Sequence, residues 1–275
     1  MSQKNILITG AGSGLGQALA VQLADENTHL FLLDISPSGL EQTQSLIHAI
    51  GGQCSLHQQD IGDLKGLQRW LDTLNNGAVK MDWLINCAGI TLTSSMVDIS
   101  TNQWHHILSV NLLSTILLCT VVGQQMMASG TGRIINISSM FGLLPAPSGI
   151  AYATTKHALV GFTRTLSVEM QNTGVEVHLV CPGFINTGLF QHAEYNGVSK
   201  ERLLPDTRNM MTSTEAARRI LHGVHRNKRW IIFPFYVRIL CWLEWYTPRI
   251  ARYLWVKQWL SFLQKRTSRM TTDHS

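Results

Sequence analysis

The amino-acid sequence predicts an α/β fold built on a doubly wound parallel sheet with helices on both faces. Short apolar runs of strand length alternate with longer runs of helical period along most of the chain. A glycine-rich turn joins the first strand to the first helix, and polar or glycine-containing segments follow the later strands. Repeated strand–helix units of this length form one continuous sheet. We therefore predict a single domain over residues 1–235, followed by a helical tail over residues 236–275.

The first unit carries the glycine-rich turn. The predicted strand Lys4–Thr9 leads into Gly10-Ala-Gly-Ser-Gly-Leu-Gly16, and apolar residues at helical spacing follow. Glycines let the backbone approach a pyrophosphate closely, while the helix N-terminus offers free N–H groups and a positive dipole end. The turn therefore predicts a dinucleotide site of the Rossmann type, with Gly10, Ser13, Gly14, Leu15 and Gly16 as candidate contacts.

An acidic residue, Asp34, ends the second predicted strand, which covers residues 29–33. A carboxylate roughly 20 residues past the glycine turn suits hydrogen bonds to a ribose 2′-hydroxyl and repels a 2′-phosphate. No Lys or Arg lies in the glycine turn or directly after Asp34 to bind such a phosphate. The pattern favours NAD over NADP; the alternative is a carboxylate that only caps the next helix.

Later strands end in further polar or glycine-containing segments. We predict strands at Gln53–Gln58, Trp83–Asn86, Trp230–Phe233 and residues 133–137 and 175–180, with a helix at residues 64–74. Ligands of doubly wound sheets bind at the carboxyl ends of the strands. The residues at these ends are therefore candidates for one site: Asp60, Ile61, Asn86, Ala88, Gly89, Ser139, Pro182 and Gly183.

Tyr152 and Lys156 lie one helical turn apart, so both side chains fall on one face of a predicted helix. A free tyrosine, with a pKa of about 10, exchanges protons poorly at neutral pH. A neighbouring ammonium favours the phenolate and lowers that pKa, so the phenol can give a proton to a carbonyl or take one from an alcohol. Ser139, a short loop upstream, would direct its hydroxyl to the same substrate oxygen.

Together these motifs resemble the single-domain form of the short-chain dehydrogenase/reductase family. The matching residues, in order, are Thr9-Gly10-x-x-x-Gly14-x-Gly16, Asp60, Asn86-x-Ala88-Gly89, Asn111, Ser139, Tyr152-x-x-x-Lys156 and Pro182-Gly183-x-x-x-Thr187. Ser139 and Tyr152 also have the separation usual in that family. Cys87 stands where the family usually has a second asparagine. The resemblance covers about residues 4–235.

The resemblance implies a role for each matching residue. Tyr152 would be the acid/base at the substrate oxygen, and Lys156 would lower its pKa and bind the nicotinamide ribose. Ser139 would orient the carbonyl, and Asn111 would hold a water that passes protons from Lys156 to solvent. At the cofactor, Asp60 would meet the adenine end, Asn86 and Gly89 the ribose, and Ile185 and Thr187 the carboxamide, with Ile61, Ala88, Pro182 and Gly183 as further contacts.

The composition indicates a globular protein in a reducing, cytoplasmic compartment. Hydrophobic residues make up 45% of the chain and charged residues 14%. Five cysteines are widely spread without a C-x-x-C pair, and the histidines show no metal-ligand spacing, so we expect neither disulfides nor a metal site. The N-terminal segment has the pattern of a strand and not that of a signal peptide.

One long uncharged stretch, residues 107–132, is the strongest membrane-span candidate in the sequence. It contains several polar residues, and its apolar core is short for a bilayer-spanning helix. We therefore expect a helix that is buried in the fold or faces a second subunit, in a homodimer or homotetramer.

The tail differs from the rest of the chain. Residues 226–275 hold ten of the 22 Lys and Arg residues, against only two acidic residues, and five of the eight tryptophans. On a helical wheel, one broad apolar arc contains Tyr253, Trp255, Val256, Trp259, Leu260, Phe262 and Leu263. Such a helix with basic flanks is typical of peripheral contact with an anionic membrane. A subunit interface is the main alternative, and the wide apolar face disfavours nucleic acid.

These features predict an NAD(P)-dependent oxidoreductase that interconverts an alcohol and its aldehyde or ketone. The tail favours a lipophilic substrate, such as a fatty alcohol, a sterol or a retinoid-like compound. The resemblance implies a substrate loop at residues 199–212, whose apolar residues either cover such a substrate or belong to the core. A soluble ketoacyl or sugar reductase is one alternative. The other is a dinucleotide-binding regulator without turnover.

Overall fold

Strands and helices alternate along the chain in the computed structural model, which describes residues 3–76, 79–94, 96–189, 193–195 and 210–257. The strands are β1 (Lys4–Thr9), β2 (Thr28–Asp34), β3 (Gln53–Gln58), β4 (Trp83–Asn86), β5 (Leu92–Thr93), β6 (Gly132–Ile137), β7 (Val175–Pro182), β8 (Ile185–Asn186), β9 (Glu194–Tyr195), β10 (Met211–Thr212) and β11 (Trp230–Phe233). The helices are α1 (Gly14–Leu23), α2 (Pro37–His48), α3 (Leu64–Asn76), α4 (Thr101–Leu108), α5 (Ser114–Ser129), α6 (Ile150–Glu169), α7 (Ser213–His225) and α8 (Phe235–Tyr246). A final described helix covers residues 248–257.

Seven strands form one parallel sheet in the order β11-β7-β6-β4-β1-β2-β3. The chain builds outward from β1 to β3 on one side and then from β4 to β11 on the other. The strand order therefore reverses between β1 and β4, and a crevice opens at their carboxyl ends. This sheet confirms the predicted doubly wound fold and its strands. The strands could be predicted because buried parallel strands appear as nearly continuous apolar runs in the sequence.

The core lies in two layers, one on each face of the sheet. Successive residues of a strand point to opposite faces. Ile6 and Ile8 of β1 accordingly pack with residues of α1, α2 and α7 on one face, and Leu7 packs with residues of α3, α5 and α6 on the other. This two-sided burial fixes the strand register and with it the positions of the loops at the carboxyl edge.

Most of the long uncharged stretch, residues 107–129, lies in a continuous helix, Thr101–Ser129, that includes α4, a π-helical turn at Ser109–Leu113 and α5. This helix has 29 residues, and among the described residues it alone is long and apolar enough to cross a membrane. Its apolar part is thus longer than the sequence analysis took it to be. Half of its most apolar window is buried within the fold, and Leu118, Val122 and Met126 belong to the core. The buried half of the helix therefore belongs to the core, as predicted, and contact of the other half with a second subunit stays a prediction.

The beginning of the tail packs on the sheet. Val237 of α8 and Ala251 of the final described helix are buried, whereas most of their neighbours are exposed. Residues 236–257 are therefore attached to the domain through two buried side chains, those of Val237 and Ala251. The C-terminal part of the predicted apolar arc, from Trp259 onward, and residues 199–209 of the predicted substrate loop lie outside the described residues.

Candidate active site

The glycine turn after β1 requires residues without side chains. Gly10 and Gly14 have φ angles of +69° and +53°, in the left-handed region that favours glycine. A Cβ on Gly10 would lie 2.8 Å from the Cα of Ala88, and one on Gly14 would lie 2.8 Å from the carbonyl oxygen of Thr187. The loops after β1, β4 and β7 therefore meet backbone to backbone around the N-terminus of α1. This cradle fits the pyrophosphate of a dinucleotide.

Thr9, at the end of β1, fixes the neighbouring loop. Its buried hydroxyl oxygen accepts hydrogen bonds of 3.1 Å from the backbone N–H groups of both Cys87 and Ala88. The sequence analysis placed Thr9 in the family motif without assigning this contact. The bonds hold the segment after β4 against the glycine turn.

Asp34 is held in place by backbone donors. One carboxylate oxygen accepts a hydrogen bond of 2.9 Å from Gly12 N–H, and the other accepts one of 2.9 Å from Ser36 N–H. The side chain lines the crevice beside Ile35, which is 64% exposed. Asp34 thus presents a fixed negative charge at the edge of the dinucleotide cradle.

A single cavity of about 390 Å³ brings most of the predicted site residues together. Those that line it are Gly10, Ser13, Gly14, Leu15, Gly16, Asp34, Asp60, Ile61, Ala88, Gly89, Ser139, Tyr152, Lys156, Pro182, Gly183, Ile185 and Thr187. Asn86 and Asn111 are buried and do not line it. The cavity extends from the acidic edge at Asp34 to the hydroxyls of Ser139 and Tyr152.

The end of the cavity at Ser139 and Tyr152 is formed by α6 and the segment after β6. Ser139 accepts a hydrogen bond of 3.2 Å from Phe141 N–H, which caps the short helix Met140–Gly142, and also hydrogen-bonds with Tyr152. Lys156 donates a hydrogen bond of 3.0 Å from Nζ to the carbonyl oxygen of Ile137. These contacts fix both side chains of α6 against the end of the sheet. The arrangement can deliver a proton to, or remove one from, an oxygen bound beside Ser139.

Comparison with known proteins agrees with this geometry. The family model described as short chain dehydrogenase matches residues 4–196. The chain belongs to the short-chain dehydrogenase family. It is therefore an NAD(P)-dependent oxidoreductase of the general class that acts on alcohols and carbonyls, and the glycine cradle fits its nicotinamide dinucleotide.

Individual relatives in this family are distant. The chain is 27% identical over 248 residues to rat (Rattus norvegicus) 17-beta-hydroxysteroid dehydrogenase 13, covering 89% of this chain and 79% of the relative. It is 32% identical over 212 residues to the short-chain reductase protein NovJ of Streptomyces niveus, covering 75% of this chain and 79% of the relative.

Solved structures show the same fold. A short-chain dehydrogenase from Sphingobium yanoikuyae in complex with NADPH has a TM-score of 0.77 and 25% identity, covering 92% of this chain and 95% of that one. A short-chain dehydrogenase/reductase from Burkholderia phymatum in complex with NAD has a TM-score of 0.82 and 24% identity, covering 90% of this chain and 95% of that one. The two structures contain different cofactors.

Asn111 of this family member lies in the π-helical turn and anchors the segment after β4. Its side-chain oxygen accepts a hydrogen bond of 2.8 Å from Ile90 N–H. Its amide group donates bonds of 2.9 Å to the Ile90 carbonyl and 3.1 Å to the Thr155 hydroxyl. Asn111 and Lys156 both lie close to Gly89, since a Cβ at Gly89 would lie 3.4 Å from Asn111 Oδ1 and 3.5 Å from Lys156 Nζ. The structure thus shows a positioning role, and the predicted water relay stays a prediction.

Asn86 has its side chain inside the sheet. Its amide group donates a hydrogen bond of 2.8 Å to Asn136, the residue opposite it on β6, whose own amide group donates one of 3.0 Å to Thr163 of α6. These bonds tie β4, β6 and α6 together beneath the site. The sequence analysis did not single out Asn136, although an asparagine within an apolar strand is an unusual residue. The expected ribose contact of Asn86 stays a prediction.

Burial dominates the proton affinities of the two central groups. Burial raises the pKa of Tyr152 to about 12, against the opposing effect of its hydrogen bond with Ser139. Burial also lowers the pKa of Lys156 to about 8, although the thiols of Cys87 and Cys181 act in the opposite direction. Burial thus outweighs any lowering by Lys156 in the protein alone, and the predicted effect of Lys156 on the pKa of Tyr152 stays a prediction.

The cavity wall also contains apolar residues that the sequence analysis missed. Met140 and Phe141 follow Ser139, and Phe184 follows Gly183. The rings of Phe141 and Phe184 meet edge to face with their centres 5.8 Å apart. Their position directly after motif residues was the available signal. They add apolar surface to the cavity wall next to Ser139 and Gly183.

Proposed function

We propose that the protein is an NAD-dependent dehydrogenase or reductase of a lipophilic alcohol and its aldehyde or ketone. The observation that carries this proposal is the composition of one cavity. The acid/base group Tyr152 lies at one end and the carboxylate Asp34 at the other, and an apolar wall formed by Met140, Phe141 and Phe184 lies beside Tyr152.

The chain's own residues account for the proton transfer. A substrate oxygen beside Tyr152 and Ser139 exchanges a proton with the phenol while the serine hydroxyl donates a hydrogen bond to it. Lys156 neighbours the phenol and stabilises a phenolate that forms during reaction. A bound nicotinamide supplies the hydride transfer, and the glycine cradle with Asp34, Asp60 and Thr187 would hold the dinucleotide.

The preference for NAD rests on the surroundings of Asp34. Two backbone N–H groups fix its carboxylate toward the cavity, and the next residue, Ile35, offers no positive charge. A ribose 2′-hydroxyl can donate a hydrogen bond to this carboxylate, whereas a 2′-phosphate would meet a like charge.

The preference for a lipophilic substrate rests on the apolar wall and on the relatives. Phe141 and Phe184 offer aromatic surface but no partner for a substrate hydroxyl. Rat 17-beta-hydroxysteroid dehydrogenase 13 is among the similar proteins, and so is the D-threitol dehydrogenase of Mycolicibacterium smegmatis at 29% identity. For this chain, the apolar wall favours a substrate of the hydroxysteroid kind over a polyol such as D-threitol.

We also propose that the protein contacts anionic membrane surfaces through α8 and the helix over residues 248–257. These helices expose large apolar side chains: Phe235, Tyr236, Ile239, Trp242, Trp245, Tyr246, Ile250, Tyr253, Leu254 and Val256. Arg238, Arg249 and Arg252 are exposed among them. Aromatic residues interleaved with basic ones suit the headgroup region of an anionic bilayer.

A substrate screen tests the enzymatic proposal. Fatty alcohols and aldehydes, sterols, retinoids, ketoacyl thioesters and polyols are each incubated with NAD(H) and with NADP(H). Turnover of a long-chain or polycyclic alcohol with NAD, abolished in Tyr152→Phe, supports the proposal. A clear preference for polyols or ketoacyl thioesters contradicts the lipophilic assignment, and binding of NAD without turnover of any class favours a regulator.

A further inference from the structure

A second cavity, of about 270 Å³, lies between the C-terminal helices and the catalytic loops. Tyr236, Leu240 and Leu243 of α8 form one wall, and Leu254 and Trp255 of the final described helix form another. No charged side chain is among its described lining residues. We refer to this space as the tail cavity.

Two residues belong to both cavities. Met140 and Phe184 line the active-site cavity and the tail cavity alike. Met140 directly follows the catalytic Ser139, and Phe184 follows Gly183 of the cofactor loop. An adaptable methionine and one aromatic ring therefore border both spaces.

Close packing at Gly183 holds the tail helix beside the site. A Cβ added at Gly183 would lie 2.8 Å from the hydroxyl oxygen of Tyr236 and 2.8 Å from Cδ of Pro234. The buried Val237 fixes the same turn of α8. The tail cavity is thus positioned by the loop that contributes Pro182 and Gly183 to the active site.

We propose that the tail cavity binds the hydrocarbon part of the substrate while the reacting oxygen lies at Ser139 and Tyr152. The chain passes between Met140 and Phe184, and Leu240 and Leu243 set the length that fits. This inference rests on the proposed function and adds to it a location and two specificity-determining residues. Such a subsite has few polar partners to offer, so its ligand is an alkyl or isoprenoid chain.

Chain length should then control catalytic efficiency. Burying one methylene group contributes about 0.8 kcal/mol, so kcat/KM should rise about fourfold for each methylene that enters the tail cavity. The rise should stop once the cavity is full. A substrate bound only in the active-site cavity would lose this dependence after the first few carbons.

The experiment measures kcat/KM with NAD for primary alcohols from propanol to tetradecanol. Leu240→Phe narrows the tail cavity, and Leu46→Phe, the same substitution at an exposed leucine of α2 that lines neither cavity, is the matched control. We expect Leu240→Phe to lower kcat/KM for the longest alcohols about tenfold or more, as for two excluded methylenes, and to leave propanol unchanged. Leu46→Phe should follow the wild type.

A second variant and a binding assay keep the test decisive. Leu243→Ala enlarges the tail cavity and should move the optimum to longer chains. A fluorescent fatty acid that is not a substrate is titrated into the same variants, so that binding is measured without turnover. Its affinity should fall in Leu240→Phe and stay unchanged in Leu46→Phe.

The outcomes separate the two proposals. No turnover of any alcohol, with fatty-acid binding that Leu240→Phe weakens, contradicts the proposed function and supports a chain-binding cavity. Equal losses for propanol and tetradecanol in Leu240→Phe, or a chain-length dependence that neither variant changes, overturns the tail cavity as a subsite and leaves the enzymatic proposal standing.

Discussion

The Nζ atom of Lys156 lies 5.7 Å from the centre of the Tyr152 ring, one turn further along α6. The same Nζ donates its hydrogen bond to the carbonyl of Ile137, at the end of β6. The ammonium is therefore held beside the phenol by the sheet and not by the phenol itself. This arrangement lets substitutions separate proton transfer from the structural role of the lysine.

Tyr152→Phe should lower kcat by roughly 100-fold or more, the scale of general acid–base catalysis, while the Kd for NAD stays nearly unchanged. The phenyl ring keeps the packing and loses the hydroxyl group, with its exchanging proton and its hydrogen bond to Ser139. Steady-state kinetics and fluorescence titration measure the two quantities. Thr154→Val, an exposed position on the same helix, is the control, and near-normal turnover of Tyr152→Phe on the best substrate would refute the assignment.

Lys156→Met should change how stability depends on pH, besides weakening both cofactor binding and turnover. The pKa of Lys156 falls from 10.5 to about 8 in the folded protein, so between these values the unfolded chain binds a proton that the folded chain does not. The free energy of unfolding of the wild type should therefore rise with pH across this range. The cost of charging this lysine is present in full below pH 8.

Urea unfolding of both proteins at pH 7, 8, 9 and 10 measures this effect. From pH 7 to pH 10, the free energy of unfolding of the wild type should increase by about 2 kcal/mol relative to that of Lys156→Met. The raised pKa of Tyr152 changes the free energy of unfolding only above pH 10.0, the ordinary pKa of tyrosine. Because both proteins contain Tyr152, this contribution largely cancels in their difference. Lys65→Met, at an exposed lysine, should follow the wild-type pH dependence. A constant difference from pH 7 to 10 would show that Lys156 is not desolvated.

Thr9 offers a test of how the cradle is assembled. Thr9→Val removes the acceptor for the N–H groups of Cys87 and Ala88 and keeps the side-chain shape. Each buried donor left without a partner costs about 1–3 kcal/mol, so the free energy of unfolding should fall by about 2 kcal/mol or more. The Kd for NAD should rise as well. Thr9→Ser keeps the hydroxyl and should restore most of both losses; equal losses in Val and Ser variants would point to packing instead.

The sequence predicted the sheet and most of the site because both depend on local patterns. Buried strands appear as apolar runs, and the loops after them carry the glycines and polar residues that line the cavity. The hydrogen-bond partners of the Asn86 and Asn111 side chains could not be predicted, because they lie far away in the sequence. Asn86 bonds to Asn136, and Asn111 bonds to Ile90. The pKa of Tyr152 likewise depends on burial by the whole fold.

The packing of the tail could not be predicted from the sequence either. Its aromatic and basic composition was evident, but the described part of it, residues 236–257, is held to the domain by two buried residues, Val237 and Ala251. Helical periodicity alone does not show which residue contacts the domain. The tail cavity, formed by residues far apart in the sequence, was therefore outside the reach of sequence analysis.

Cofactor choice can be reversed at two adjacent positions. Asp34→Ser with Ile35→Arg removes the like charge and adds a cation at the cradle's edge, so NADP should bind more tightly than NAD. The wild type should prefer NAD, and titrations of both cofactors compare the Kd values. Ile50→Arg, at another exposed isoleucine outside the cavity, controls for added charge. A wild-type preference for NADP would contradict the assignment to Asp34.

Membrane contact should persist partly at high salt. Each basic residue near an anionic surface contributes about 1 kcal/mol, and this attraction decays within a Debye length of roughly 8–10 Å. Burial of Trp245 and Tyr246, which are 74% and 73% exposed, adds a contribution that salt does not screen. Co-sedimentation of the full chain with anionic vesicles should therefore weaken in high salt without vanishing, and neutral vesicles should bind less protein.

Surface substitutions test this contact more safely than truncation, because removing α8 would also remove the buried Val237. Trp245→Ser with Tyr246→Ser should abolish the salt-resistant part of binding and leave turnover of a water-soluble alcohol unchanged. Val168→Ser removes an exposed apolar residue elsewhere and should not alter vesicle binding. Light scattering is measured in parallel. If the full chain binds neither kind of vesicle and the double substitution instead dissociates an oligomer, these helices form a subunit interface and not a membrane-binding surface.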